Sequence, residues 1–124
     1  MVHQFEKERG ILLFVTLAIA VFIFYMSSRT FPGGGGTGYL SYVYHFGVFF
    51  TLAFFLLPAT LQGSFNKKIV FLVLSICVVY AALDELHQYF VPGRYPSTSD
   101  VLMDSAGILA AAVIYLTSVA VRKK

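Results

Sequence analysis

The chain has 124 residues, of which 58% are hydrophobic and only 12% charged, with a formal net charge of +3. A soluble domain carries roughly 25% charged residues, so this chain lacks the charge to cover a water-facing surface, and its length leaves no room for a separate catalytic module. Its 13 Phe and 8 Tyr, with a mean hydropathy of +0.78, also exclude a disordered segment and a nucleic-acid-binding module, and suit a lipid bilayer.

Crossing a hydrocarbon core of about 30 Å takes roughly 20 helical residues. Four apolar runs meet that length. The first covers residues 11–28 and follows Lys7 and Arg9; it is long for the apolar region of a signal peptide and lacks a small-residue cleavage site after it. The segment "FPGGGGTG" from Phe31 to Gly38 has no Gly-Lys-Ser/Thr ending, so it reads as a flexible outer hairpin and not as a phosphate loop. The second run covers about 39–61, with Pro58 placed to kink or end it. The third covers 69–90 and holds the single cysteine, Cys77, which reads as a small packing hydrophobe.

In the connector "VPGRYPSTSD", Pro92 and Gly93 suit the centre of a type II turn, whose second residue needs positive φ. Ser97, three residues before Asp100, is a helix-start signal, with the acid near the positive end of the dipole. The fourth run covers about 100–121. The expectation is an all-α fold, an integral membrane bundle of four transmembrane helices forming one domain over residues 1–124.

Lys and Arg in short loops favour the cytoplasmic side. Lys7, Arg9, Lys67, Lys68, Arg122, Lys123 and Lys124 fall on one face of this topology, and only Arg29 and Arg94 on the other. Both termini are therefore expected in the cytoplasm of a plasma-membrane protein.

A charged residue at the centre of a membrane helix costs roughly 2.5–3.5 kcal/mol, so the depth of the polar groups is informative. The uncharged stretch from Ile69 to Leu83 is about 22 Å long at about 1.5 Å per residue, which puts "DELHQ", Asp84 to Gln88, just below the outer interface. The same arithmetic from the other ends of their helices brings Asp100, Asp104 and His45 to that level, within snorkelling reach of Arg29 and Arg94. Residues three or four apart share a helix face. Tyr80, Asp84, His87 and Gln88 form one face of the third helix, with Glu85 turned about 100° away. Asp100, Asp104, Gly107 and Ala111 form a stripe on the fourth, narrow enough lower down for another helix to approach closely. The short connector suggests that the polar faces of helices three and four meet.

The stretch "DELHQYFVPGRYPSTSDVLMDSAG" resembles the signature of the VanZ-like membrane proteins. The matching positions are Asp84, Glu85, Gln88, Phe90, Pro92, Gly93, Arg94, Ser97, Asp100 and Gly107. "HFGVFFTL", with His45, Phe46, Phe49 and Leu52, is similar to the entry of the family's second helix, and "SSR", Ser27 to Arg29, to the end of its first. Two departures stand out: Ser41 and Tyr42 occupy the place of an Asp-Lys pair common ahead of the His, and Asp104 stands where Asn is common. The resemblance implies a cell-envelope protein associated with reduced susceptibility to teicoplanin, a glycopeptide antibiotic with a lipid tail.

Three functions fit the polar layer. Asp84, Glu85, Asp100, Asp104, Arg29, Arg94 and His45 can form an ion network that locks helix pairing; four acids against two arginines, however, leave about two negative charges unbalanced. Alternatively, these residues with Gln88 bind a lipid head group or the lipid-tailed antibiotic, Arg94 and Arg29 meeting a phosphate or carboxylate below a belt of Tyr39, Tyr42, Tyr89 and Tyr95. A third function is intramembrane acid/base catalysis, or an oxygen-rich divalent metal site, on an envelope lipid. No cofactor is expected otherwise, and the partners expected are membrane lipids, not nucleic acid.

Overall fold

The computed structural model describes residues 2–29, 39–95 and 97–123. They form four helices, α1 (Val2–Ser27), α2 (Tyr39–Leu61), α3 (Lys67–Tyr89) and α4 (Thr98–Arg122), each long and apolar enough to cross a membrane. Among the described residues there is no strand. The hairpin expected at Phe31 to Gly38 lies outside the described residues.

Helix α1 begins nine residues before its apolar run. The segment ahead of Gly10 is rich in Gln, Glu, Lys and Arg, all good helix formers, so polarity there limits the membrane-spanning part and not the helix. Helix α3 starts at Asn66, whose side chain accepts the amides of Lys68 at 3.0 Å and Ile69 at 3.3 Å. Helix α4 starts at Ser97, whose hydroxyl accepts the Ser99 amide at 3.2 Å.

Pro58 neither ends α2 at once nor stops the next bond, since the Gln62 amide still donates to the Pro58 carbonyl at 2.9 Å. The helix stops because Gln62 and Gly63 both turn left-handed, at φ 52° and 80°. That turn is pinned from α4: the Gly63 amide donates to the Tyr115 hydroxyl, 3.1 Å, which itself donates to the Ser64 carbonyl, 2.9 Å.

Helices α2 and α3 each pack against the other three, whereas among the described residues α1 and α4 do not pack against each other. The bundle is thus a diamond with α2 and α3 on its short diagonal. Its core joins Phe49, Leu52 and Leu57 to Val73, Cys77 and Ala81, with Ile108 and Ala111 from α4 and Ile23 from α1. In lipid, apolar contact alone gives helices little reason to associate, so close backbone approach and polar contacts decide the pairing. The closest approach is at Gly107, where any Cβ would collide with the Phe46 carbonyl and lie 3.0 Å from the Phe50 nitrogen. The narrow stripe on α4 therefore receives α2. The short connector suggested α3 as its partner; α2 prevails because it presents both a backbone that fits the glycine and a histidine opposite the two carboxylates.

Candidate functional site

At the end of the bundle opposite the chain termini, α2 contributes His45 and α4 contributes Asp100 and Asp104. The spacing of four residues sets the two carboxylates one turn apart on the same face. His45 Nδ1 lies 2.8 Å from Asp104 Oδ1, with a proton held between them, and Nε2 lies 3.6 Å from Asp100 Oδ2. All three are buried, Asp104 completely. The ring is thus held between two acids, its tautomer and plane set by the shorter contact.

Helix α3 supplies the rest. Asp84 and Gln88 are buried, and Gln88 Nε2 donates to Asp84 Oδ2 at 3.1 Å. The Asp84 carbonyl accepts the Ser27 hydroxyl at 3.4 Å, tying in the end of α1. Glu85, a helical step round from Asp84, accepts the backbone N–H of Ser97. Capping of α4 is therefore shared between the Ser97 hydroxyl and an acid from another helix. Asp100, which the sequence made a candidate for that task, is left to face His45.

Three buried polar atoms have no hydrogen-bond partner among the described residues: Asp104 Oδ2, Glu85 Oε2 and the Tyr44 hydroxyl. A polar atom kept from water without a partner costs about 1–3 kcal/mol, so the cluster is buried but incompletely satisfied among the described residues. Nor is its charge balanced, because Asp84, Glu85, Asp100 and Asp104 face His45 and Arg94.

Arg94 follows the expected turn. Its amide donates to the Val91 carbonyl at 3.2 Å, and Gly93 has φ 81°, so Pro92 and Gly93 occupy the centre of a type II turn. The Arg94 side chain is half-buried, within electrostatic reach of Asp84 and Tyr44.

Arg29, a candidate from the sequence, and His87 make other contacts. Arg29 is exposed, its Nη1 donating to the Tyr25 hydroxyl at 3.1 Å and its guanidinium 5.5 Å from that ring's centroid; a partner one turn back on the same helix holds it away from the acids. His87 stacks on Phe24, 4.8 Å between ring centroids, with Nε2 2.9 Å from the Ser28 hydroxyl, so it joins α3 to α1. Among the described residues no three His, Cys, Asp or Glu side chains are arranged to hold a metal ion. Of the acids considered for an oxygen-rich site, Asp84 accepts from Gln88 and Glu85 from the Ser97 amide.

Sequence reasoning missed Tyr44 and the pinning role of Ser27. Tyr44 carried one signal, a hydroxyl at the depth of His45 in a helix that otherwise uses Phe from position 46 onward. Chemically, the arrangement can hold and pass a proton between His45 and Asp104, and can offer both acceptors and a guanidinium to a polar group at the bundle end.

Comparison with curated proteins and with solved structures returns no match. A family model described as VanZ/LLP1 matches residues 3–120, and the chain accordingly belongs to that family.

Proposed function

We propose that this chain is a one-domain, multi-pass protein of the plasma membrane. Its polar end lies in the outer leaflet and recognises the head group of an envelope lipid or of a lipid-tailed glycopeptide such as teicoplanin, lowering susceptibility to the latter. Both termini lie in the cytoplasm, as the six described basic residues at the opposite end favour. The observation that carries this reading is the set of buried polar atoms on Tyr44, Glu85 and Asp104 that have no partner among the described residues, in a cluster within reach of Arg94. A network serving only to lock helices would be expected to satisfy its members. The exposed rings of Tyr39, Tyr89 and Tyr95 fit the interfacial belt that such a site requires.

Arg94 is the contact for a phosphate or carboxylate, for which a guanidinium fork is matched in shape and charge. In cells expressing the chain at equal levels, Arg94→Ala should abolish any gain in teicoplanin tolerance and reduce co-purifying envelope lipid roughly tenfold, the equivalent of one charge-assisted contact of about 1.5 kcal/mol. Arg94→Lys should retain part of both. Unchanged tolerance and unchanged lipid in both variants would reject the reading.

The His45–Asp104 contact of 2.8 Å favours a second reading, intramembrane acid/base chemistry on an envelope lipid, since a carboxylate-oriented imidazole is a common general base. Under that reading His45→Asn leaves lipid binding intact and removes turnover of the bound lipid. Under the first reading no lipid product forms in either protein.

A further inference from the structure

At the basic end, the diamond arrangement has a consequence for the surface of α2. Helices α1 and α4 both pack on α2 but not on each other, so a crevice runs between them. It contains two adjoining cavities. One, of about 240 Å³, is walled by Leu12, Phe54, Phe55 and Pro58 with Arg122 at its edge; the other, of about 210 Å³, carries Glu8, Arg9, Gln62 and Arg122. Leu12, Pro58, Gly63 and Arg122 line both, so apolar wall and basic mouth belong to one groove.

Local chemistry keeps it open. The left-handed turn at Gln62 and Gly63 is held against α4 by Tyr115, which fixes the floor. Gly63 adds no side chain, and the nearest group to its missing Cβ is Arg122 Nη1 at 4.0 Å.

We propose that this crevice binds one anionic phospholipid, its phosphate between Arg9 and Arg122 and an acyl chain along Leu12, Phe54 and Pro58. Charge complementarity selects the head group: two guanidinium groups, from the first part of α1 and the end of α4, line one mouth with one acid among the described lining residues, Glu8, and a guanidinium fork matches a phosphodiester. The apolar wall directly beneath selects a molecule that carries its own hydrocarbon. The site is independent of the polar cluster at the other end.

The test uses the full chain in detergent micelles, with retained lipid measured by native mass spectrometry. The probes are phosphatidylglycerol, phosphatidylcholine of the same acyl chains, and glycerophosphate. Each arginine near a lipid surface contributes a factor of about five, so phosphatidylglycerol should be retained over phosphatidylcholine by roughly tenfold or more. The Arg9→Gln/Arg122→Gln pair should bring that preference close to one, while Lys67→Gln/Lys68→Gln, an equal loss of charge at the start of α3, should leave it within about twofold. Ser118 of α4 also lines the larger cavity, so Ser118→Phe, which fills the apolar part and keeps every charge, should weaken retention of both lipids. Equal retention of the two lipids by the wild-type chain would overturn the proposal. So would an equal loss in the two double variants, or competition by glycerophosphate as strong as by phosphatidylglycerol.

Discussion

Lys7, Arg9, Lys67, Lys68, Arg122 and Lys123 stand exposed at one end of the bundle, while Asp84, Asp100, Asp104 and His45 are buried at the other. Exposed bases keep their hydration and need no fixed partner; buried acids must find one, as Asp84 does on its own helix and Asp104 on α2, or forfeit about 3–5 kcal/mol. The contrast explains why the first set can tolerate rearrangement while the second dictates which helices meet. It also shows why the net charge of +3 describes the molecule poorly: the chain is a basic-flanked bundle with an acidic cluster inside its opposite end.

The contrast breaks most sharply at His45. Replacing it by Leu leaves Asp100 and Asp104 facing each other without a base, and should cost about 3–5 kcal/mol in a thermal or denaturant unfolding assay in detergent. A loss under about 1 kcal/mol would mean that the acids do not depend on the ring. Next comes Gly107→Ala, which forces the α2 and α4 backbones apart at Phe46 and should cost about 1–3 kcal/mol. Gly47→Ala is the matched control, since its added Cβ meets nothing within 4 Å; equal effects of the two would remove the close-approach argument.

A smaller effect is expected at Glu85. Glu85→Ala removes the acceptor of the Ser97 amide at the start of α4 and should cost about 1 kcal/mol, the usual worth of a helix cap. Glu85→Gln keeps an oxygen acceptor, so it should cost less; equal losses would point to charge and not capping. Smallest of all, Lys67→Gln and Lys123→Gln should leave the unfolding midpoint unchanged. A clear shift would show that the basic end is as interdependent as the acidic one.

Much of this was legible in the sequence because it follows from local rules. Four runs of sufficient length gave four helices, Pro92 and Gly93 gave the turn that presents Arg94, and the spacing of Asp100, Asp104, Gly107 and Ala111 gave the buried stripe. What could not be read was which helix the stripe would face. In a soluble protein the polar side of a helix marks its outward face, but along most of these spans the lipid-facing and bundle-facing sides are both apolar, so periodicity shows that the acidic stripe is buried without showing which neighbour it meets. The partnership of α4 with α2, the burial of the Tyr44 hydroxyl and the pinning role of Ser27 all depend on how each helix is rotated. Arg29 shows a different limit: Tyr25, four residues earlier, offers its guanidinium a local partner that depth arithmetic does not register.

The central claim is that the polar end, through Arg94, binds a polar head group. It is tested most directly by titrating teicoplanin into nanodiscs holding the wild-type chain or Arg94→Ala, with empty nanodiscs as the baseline. Saturable binding above the empty discs, weakened roughly tenfold in the variant as expected for one charge-assisted contact, is the result predicted. Binding no greater than to empty discs, or an affinity indifferent to Arg94, would contradict it.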